Sequence, residues 1–190
     1  MAPKRARAPA RPRRPAGRSA RRSGPRSIPL PYNVPVSQVL SAPAILVGAD
    51  AVLFDAMVLM RTHHVSGLPV IEPAGEVVGV LSQKDLARVL AGASEFPEIT
   101  GLLDVLMAGL RPAPDRWMPH LLKTLQRTHV REAMSSPAFV VRPEATLEFA
   151  AEVMQENGIN RLPVVDGGRL IGVVTRHDLA KALLPPVRPR

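Results

Sequence analysis

The chain writes one passage twice. GLPVIEPAGEVVGVLSQKDLARVL at residues 67–90 returns as NRLPVVDGGRLIGVVTRHDLAKALL at residues 160–184. In the second copy an apolar run (162–165), a polar glycine turn (166–169) and a second apolar run (170–174) form the pattern of a β-hairpin. Thr175 comes next, with Asp178 three residues on and Leu179, Ala182 and Leu183 at helical spacing, so the hairpin feeds directly into a helix opened by a capping box. Ser82 and Asp85 hold the same places in the first copy. Outside the quoted passage the register persists: Val36 aligns with Val130, Pro43 with Pro137, Met60 with Met154 and Pro69 with Pro163, all at an offset of 94. The offset falls to 93 after the hairpin turn, where Asp85 aligns with Asp178, and a turn is where a structural repeat tolerates a deletion.

Ahead of each hairpin the pattern predicts a short strand, at 44–47 in the first copy, and then a helix. Residues 51–62 carry Val52, Leu53, Ala56, Met57, Leu59 and Met60 on a broad apolar face that ends near His63 and His64. Each copy therefore reads strand, helix, strand, strand, helix. Thr146 stands ahead of the first helix of the second copy. Its counterpart Val52 has no hydroxyl, and Asp50 is the expected substitute cap. Between the copies, residues 91–129 exceed an ordinary connection and predict an inserted helical hairpin. Thr100 opens one helix, with Leu102, Leu103, Val105, Leu106 and Leu110, and Pro119 sits in the first turn of another, with Leu121, Leu122 and Leu125. Such an insertion either covers an edge of the module or makes a dimer or partner contact.

Charge is concentrated at one end. Of 25 Lys and Arg, ten lie in residues 1–27 with no acid among them, which leaves 15 against 16 acids for the rest of the chain. Residues 1–27, rich in Arg, Pro and Ala, cannot bury enough surface to offset ordering and are expected to be a disordered basic tail. That tail is either solvated or, as the one candidate region for nucleic acid, a salt-sensitive polycationic arm. Residues 28–35 form a proline-punctuated lead-in. A hydrophobic fraction of 46% with only 3% aromatics predicts an aliphatic core. No cysteine is present, which excludes disulfides, a thiolate nucleophile and cysteine-ligated metal, and a reducing, cytoplasmic setting with no membrane span is expected. The sequence holds no GxSxG, GxxxxGK[ST] or GxGxxG, and His63 and His64 have no metal-motif partner, so neither catalysis nor a metal site is expected.

The paired passages, each with LPV, a glycine near the end of the second strand and Ser/Thr-x-x-Asp, resemble the cystathionine β-synthase (CBS) domain. The resemblance covers residues 36–90 and 130–184, leaving 185–190 as a short tail. It implies an α+β fold of two repeats related by a pseudo-twofold axis. It also implies a regulatory module that requires no cofactor and binds an adenine nucleotide or S-adenosylmethionine as its ligand. By resemblance Asp178 and Asp85 bind ribose, and Thr175 and Ser82 lie near ribose or phosphate. Ile159, Asn160 and Arg161 in one copy, and Val65, Ser66 and Gly67 in the other, border the base pocket. Arg161 matches a phosphate-contacting position that Gly67 cannot fill, although His63, Lys84, Arg176 and His177 are candidates to compensate. Thr146 faces the ligand in the family pattern and Val52 departs from it. The two half-sites are thus expected to be unequal, with the pocket of Thr175, Asp178 and Arg161 favoured. The resemblance further implies a homodimer through the long helices and output to a separate protein partner.

Overall fold

The computed structural model describes residues 33–92 and 118–183. The basic tail, the 28–32 part of the lead-in, the first half of the linker with its expected helix at Thr100, and the C-terminal tail lie outside these residues.

A 3-10 turn, Val36–Gln38, precedes β1 (Val47–Gly48), α1 (Leu53–Thr62), β2 (Gly67–Ile71), β3 (Val77–Ser82) and α2 (Gln83–Gly92). After the linker come α3 (Met118–Arg127), α4 (Val130–Ala133), α5 (Leu147–Glu156), β4 (Arg161–Asp166), β5 (Arg169–Thr175) and α6 (Arg176–Leu183). The fold is α+β, with two small sheets. One has the order β1-β2-β3, with β1 parallel and β3 antiparallel to β2, and the other is the antiparallel pair β4-β5. Both hairpins shift register at the same place, between Val70 and Ile71 and between Val164 and Val165.

The opening strand is shorter than the apolar run suggests. In the first copy only Val47 and Gly48 join a ladder, and in the second Val141 makes a lone parallel bridge to Val164. Ala44 and Ile45 turn instead toward a cleft, described below.

The two sequence copies are not the two packed halves. Val36 is fully buried with Val141, Leu147, Met154, Leu162 and Val174, the core of the second copy. Val130 and Ala133 are buried with Leu53, Met60, Leu68 and Leu81, the core of the first. Each copy's leading segment has crossed to the other's hairpin. The hydrogen bonds record the exchange twice. Leu53 N donates to Thr128 O and Leu147 N to Val34 O; Val130 N donates to Ala51 O and Val36 N to Ala145 O. Ser135 bridges Val80 just as Ser41 bridges Val173. The glycine near the end of each second strand has its reason here. A Cβ on Gly79 would meet Met134 Sδ at 2.5 Å, and one on Gly172 would meet Ser41 O at 2.8 Å, so the crossing segment requires a residue without a side chain.

Two expectations need correction. Asp50 does not cap α1. Its carboxylate is held by Arg131, with Nε to Oδ1 at 2.8 Å, and the α1 amide of Leu53 is met by the Thr128 carbonyl instead. This pairing holds the Arg131 guanidinium above its ordinary pKa, chiefly through the hydrogen bond to Asp50. On its broad face α1 is packed by α3, and Leu121 and Leu125 are buried in the same cluster as Leu53, Ala56 and Met60. The second half of the linker thus covers an edge of the module. Finally, the strand expected at 44–47 is reduced to its end.

Candidate functional site

Both hairpins end in the capping box that the spacing predicts. In the first half the Ser82 amide and hydroxyl donate to Asp85 Oδ2 at 2.9 and 2.6 Å, and the Asp85 amide donates to Ser82 Oγ at 3.4 Å. In the second half Thr175 and Asp178 repeat the arrangement at 2.9, 2.7 and 3.3 Å. A hydroxyl and a carboxylate three residues apart satisfy each other's local amides, and the carboxylate lies at the positive end of the helix.

The other carboxylate oxygen separates the two sites. Asp85 Oδ1 accepts from Arg88 at 3.1 Å and from Ser135 Oγ at 3.2 Å, and the residue is only 4% exposed. Arg88 also donates to Ala133 O, which fixes its fork across the box. The corresponding positions in the second half are Lys181 and Ser41. Neither bonds to Asp178, and Oδ1 of Asp178 has no hydrogen-bond partner among the described residues. A shorter reach explains part of this, because lysine presents a point charge where arginine presents a fork.

Around Asp178 there is a cleft of about 480 Å³. Six of the ten sequence-identified residues line it: Thr175, Asp178, Arg161, Asn160, Val65 and Ser66. Its walls come from both halves, because β2 and β4 begin side by side there. Four candidates lie elsewhere. Ser82 and Asp85 form the closed box of the first half. Thr146 caps α5, its hydroxyl accepting from Phe149 N at 3.2 Å. Ile159 packs on the second core, and its carbonyl accepts from Arg176 Nε at 3.2 Å. A second, larger groove of about 690 Å³ beside the 166–168 turn gathers none of the candidates.

The cations at the cleft have different roles. Arg176 lines it but spends its guanidinium on the carbonyls of Ile159 and Met154, closing the end of α5. Arg161 reaches across to the first half, where its two terminal nitrogens donate to Gly67 O and Ser66 Oγ. No carboxylate of the described residues lies within ion-pair distance of it. Burial pushes the Arg161 guanidinium below its ordinary pKa, opposed by the field of Asp85. Lys181, His64 and His177 also line the cleft, around one acid, Asp178. His63 and Lys84, the other candidates considered, do not line the cleft.

Ser41, Pro43, Ala44, Ile45, His64 and Lys181 were not legible as site residues. Residues 41–45 arrive through the segment exchange, which no local pattern announces. His64 had a signal in the repeat itself. It stands where the second copy has Gly158, and both backbones are left-handed, with φ of 53° and 62°. A histidine thus holds, at the wall of the cleft, a left-handed conformation that glycine adopts without strain.

Comparison with known proteins places this arrangement. The CBS domain profile matches residues 36–92 and 130–185. The Methanocaldococcus jannaschii protein MJ1426 is 35% identical over 154 residues, covering 78% of this chain and 90% of that protein. CBSX2 of Arabidopsis thaliana is 33% identical over 141 residues, and the matched part spans 54% of its length. Its structure in complex with AMP superposes with a TM-score of 0.59 at 27% identity, covering 81% of this chain and 99% of that one. The CBS domain of a membrane protein from Sphaerobacter thermophilus gives a TM-score of 0.63 at 29% identity, covering 80% of this chain and 90% of that one. With two profile matches, one on each copy, the chain belongs to the CBS-domain family.

Proposed function

We propose that this chain is a regulatory module that binds an adenosine-containing ligand in the cleft around Asp178 and signals the occupancy to a separate protein. One observation carries the reading: Asp178 lines a cleft with one oxygen fixed by Thr175 and the other without a partner among the described residues. An ionised carboxylate is an acceptor only, so its free oxygen suits a donor such as the hydroxyls of a ribose. Arg161 and Lys181 favour an anionic ligand, so AMP, ADP and ATP stand ahead of S-adenosylmethionine. The AMP complex of CBSX2 supports the same class. The closed box of Ser82 and Asp85 takes no ligand in this reading. Dimerisation and a protein partner would relay the signal, since ligand binding shifts only equilibria whose states it distinguishes.

The test is thermal unfolding of the full chain with AMP, ADP, ATP and S-adenosylmethionine in parallel with Asp178→Ala. A ligand at about a hundredfold over its dissociation constant stabilises by about 2.7 kcal/mol, a shift that is easily read. The reading expects at least one nucleotide to raise the midpoint and Asp178→Ala to abolish the rise. If none acts on the wild type, the chain is an interaction module in which both capping boxes are only caps.

A further inference from the structure

Positions 67 and 161 are equivalent in the two copies, and they meet. A Cβ on Gly67 would lie 2.7 Å from both Cζ and Nη1 of Arg161, so the guanidinium rests directly on the backbone of its own counterpart. Only one of the two positions has room for an arginine. The bonds from Arg161 to Gly67 O and Ser66 Oγ pass from one packed half to the other. The other long-range side-chain bonds among the described residues stay within one packed half, those of Arg88, His129, Arg131, Ser135 and Ser136 in the first, which the 130–136 segment has joined, and those of Arg176 in the second. Arg161 is therefore a cationic strut between the halves, bonded to two neutral acceptors at the wall of a cleft.

Neutral acceptors hold a guanidinium less strongly than anionic oxygens do, and a forked pair to phosphate is among the stronger protein contacts. We propose that Arg161 is a latch for which an anionic group of the ligand competes with Ser66 and Gly67, so that phosphorylated ligands change the contact between the halves and neutral ones do not. This rests on the nucleotide reading of the cleft and adds its means of regulation. The residues that meet the phosphate and those that join the halves are then the same, and affinity and conformation are coupled through one side chain.

The chain has no cysteine, so paired nitroxide labels at Arg61→Cys and Gln155→Cys, exposed positions on α1 and α5, report the distance between the halves in the full-length protein. The probes are AMP and adenosine, with binding measured on the same samples by calorimetry. The proposal expects AMP to shift the distance distribution and bound adenosine to leave it in place. Arg161→Gln should move the nucleotide-free distribution by itself and lower AMP affinity about tenfold to a hundredfold, the worth of a charged hydrogen bond, with adenosine affinity little changed. Ser66→Ala, which removes one acceptor and keeps the guanidinium, should move the nucleotide-free distribution the same way by less. AMP that binds without moving the labels, an equal shift with adenosine, or unmoved labels in both variants would overturn the latch and leave the nucleotide site standing. If neither compound binds the wild type, the nucleotide reading fails and the latch fails with it.

Discussion

Asp85 and Asp178 begin from the same local motif and end in opposite states. Each sits three residues into a helix that follows a hairpin, and each is bound by the hydroxyl and amide of a Ser or Thr. Asp85 is then enclosed by Arg88 from its own helix and by Ser135 from the exchanged segment. Asp178 has Lys181 and Ser41 in those places and keeps an oxygen open to the cleft. A capping box thus positions a carboxylate but does not determine its use. The neighbours three residues along and across the segment exchange decide whether it closes a structural knot or leaves an oxygen open to a cleft.

The cores of the two halves should be alike even though their clefts are not. Leu68 and Leu162 are equivalent and both fully buried, so Leu68→Ala and Leu162→Ala should each cost about 2–5 kcal/mol in urea unfolding. A large loss in one half alone would break the equivalence of the cores. The carboxylates should then part company. Asp85→Asn disturbs bonds to Ser82, Arg88 and Ser135 in a buried place and should cost about 1–3 kcal/mol, whereas Asp178→Asn should cost about 1 kcal/mol or less. Equal costs would contradict the difference in enclosure.

His64→Gly should stabilise the chain by about 1 kcal/mol, because it replaces a left-handed histidine by the residue that the second copy uses at Gly158. The gain should come with weaker nucleotide binding, since His64 lines the cleft. Arg131→Ala should have the smallest effect, and added salt should shrink it further, because the Arg131–Asp50 pair is exposed and surface pairs are screened. The clip exists in the first half only, since Ser37 stands where an arginine would be needed in the second.

Much of this was written in the sequence because it depends on neighbours along the chain. Hairpins, capping boxes and the first-turn proline of α3 are set by spacings of two to four residues, and the structure repeats them. The difference between the two copies at Gly67 and Arg161 could also be read, and it led to the expectation of unequal half-sites. What escaped depends on which distant segment arrives. Val36 and Val130 look equally apolar, and nothing in their periodicity says that each belongs to the other copy's core. Asp50 looked like a cap for α1 until the exchange brought Arg131 to it, and the bonds from Arg176 to the end of α5 had no signal in the local pattern. Arg161 was identified through the family resemblance, but its bonds to Ser66 and Gly67 required the two halves to be seen together.

The most direct test of the account is the stoichiometry of AMP binding by titration calorimetry, on the wild type and on Asp85→Asn and Asp178→Asn. The account predicts one AMP per chain, with binding retained in Asp85→Asn and lost in Asp178→Asn. Two AMP per chain, or loss in Asp85→Asn with retention in Asp178→Asn, would contradict it.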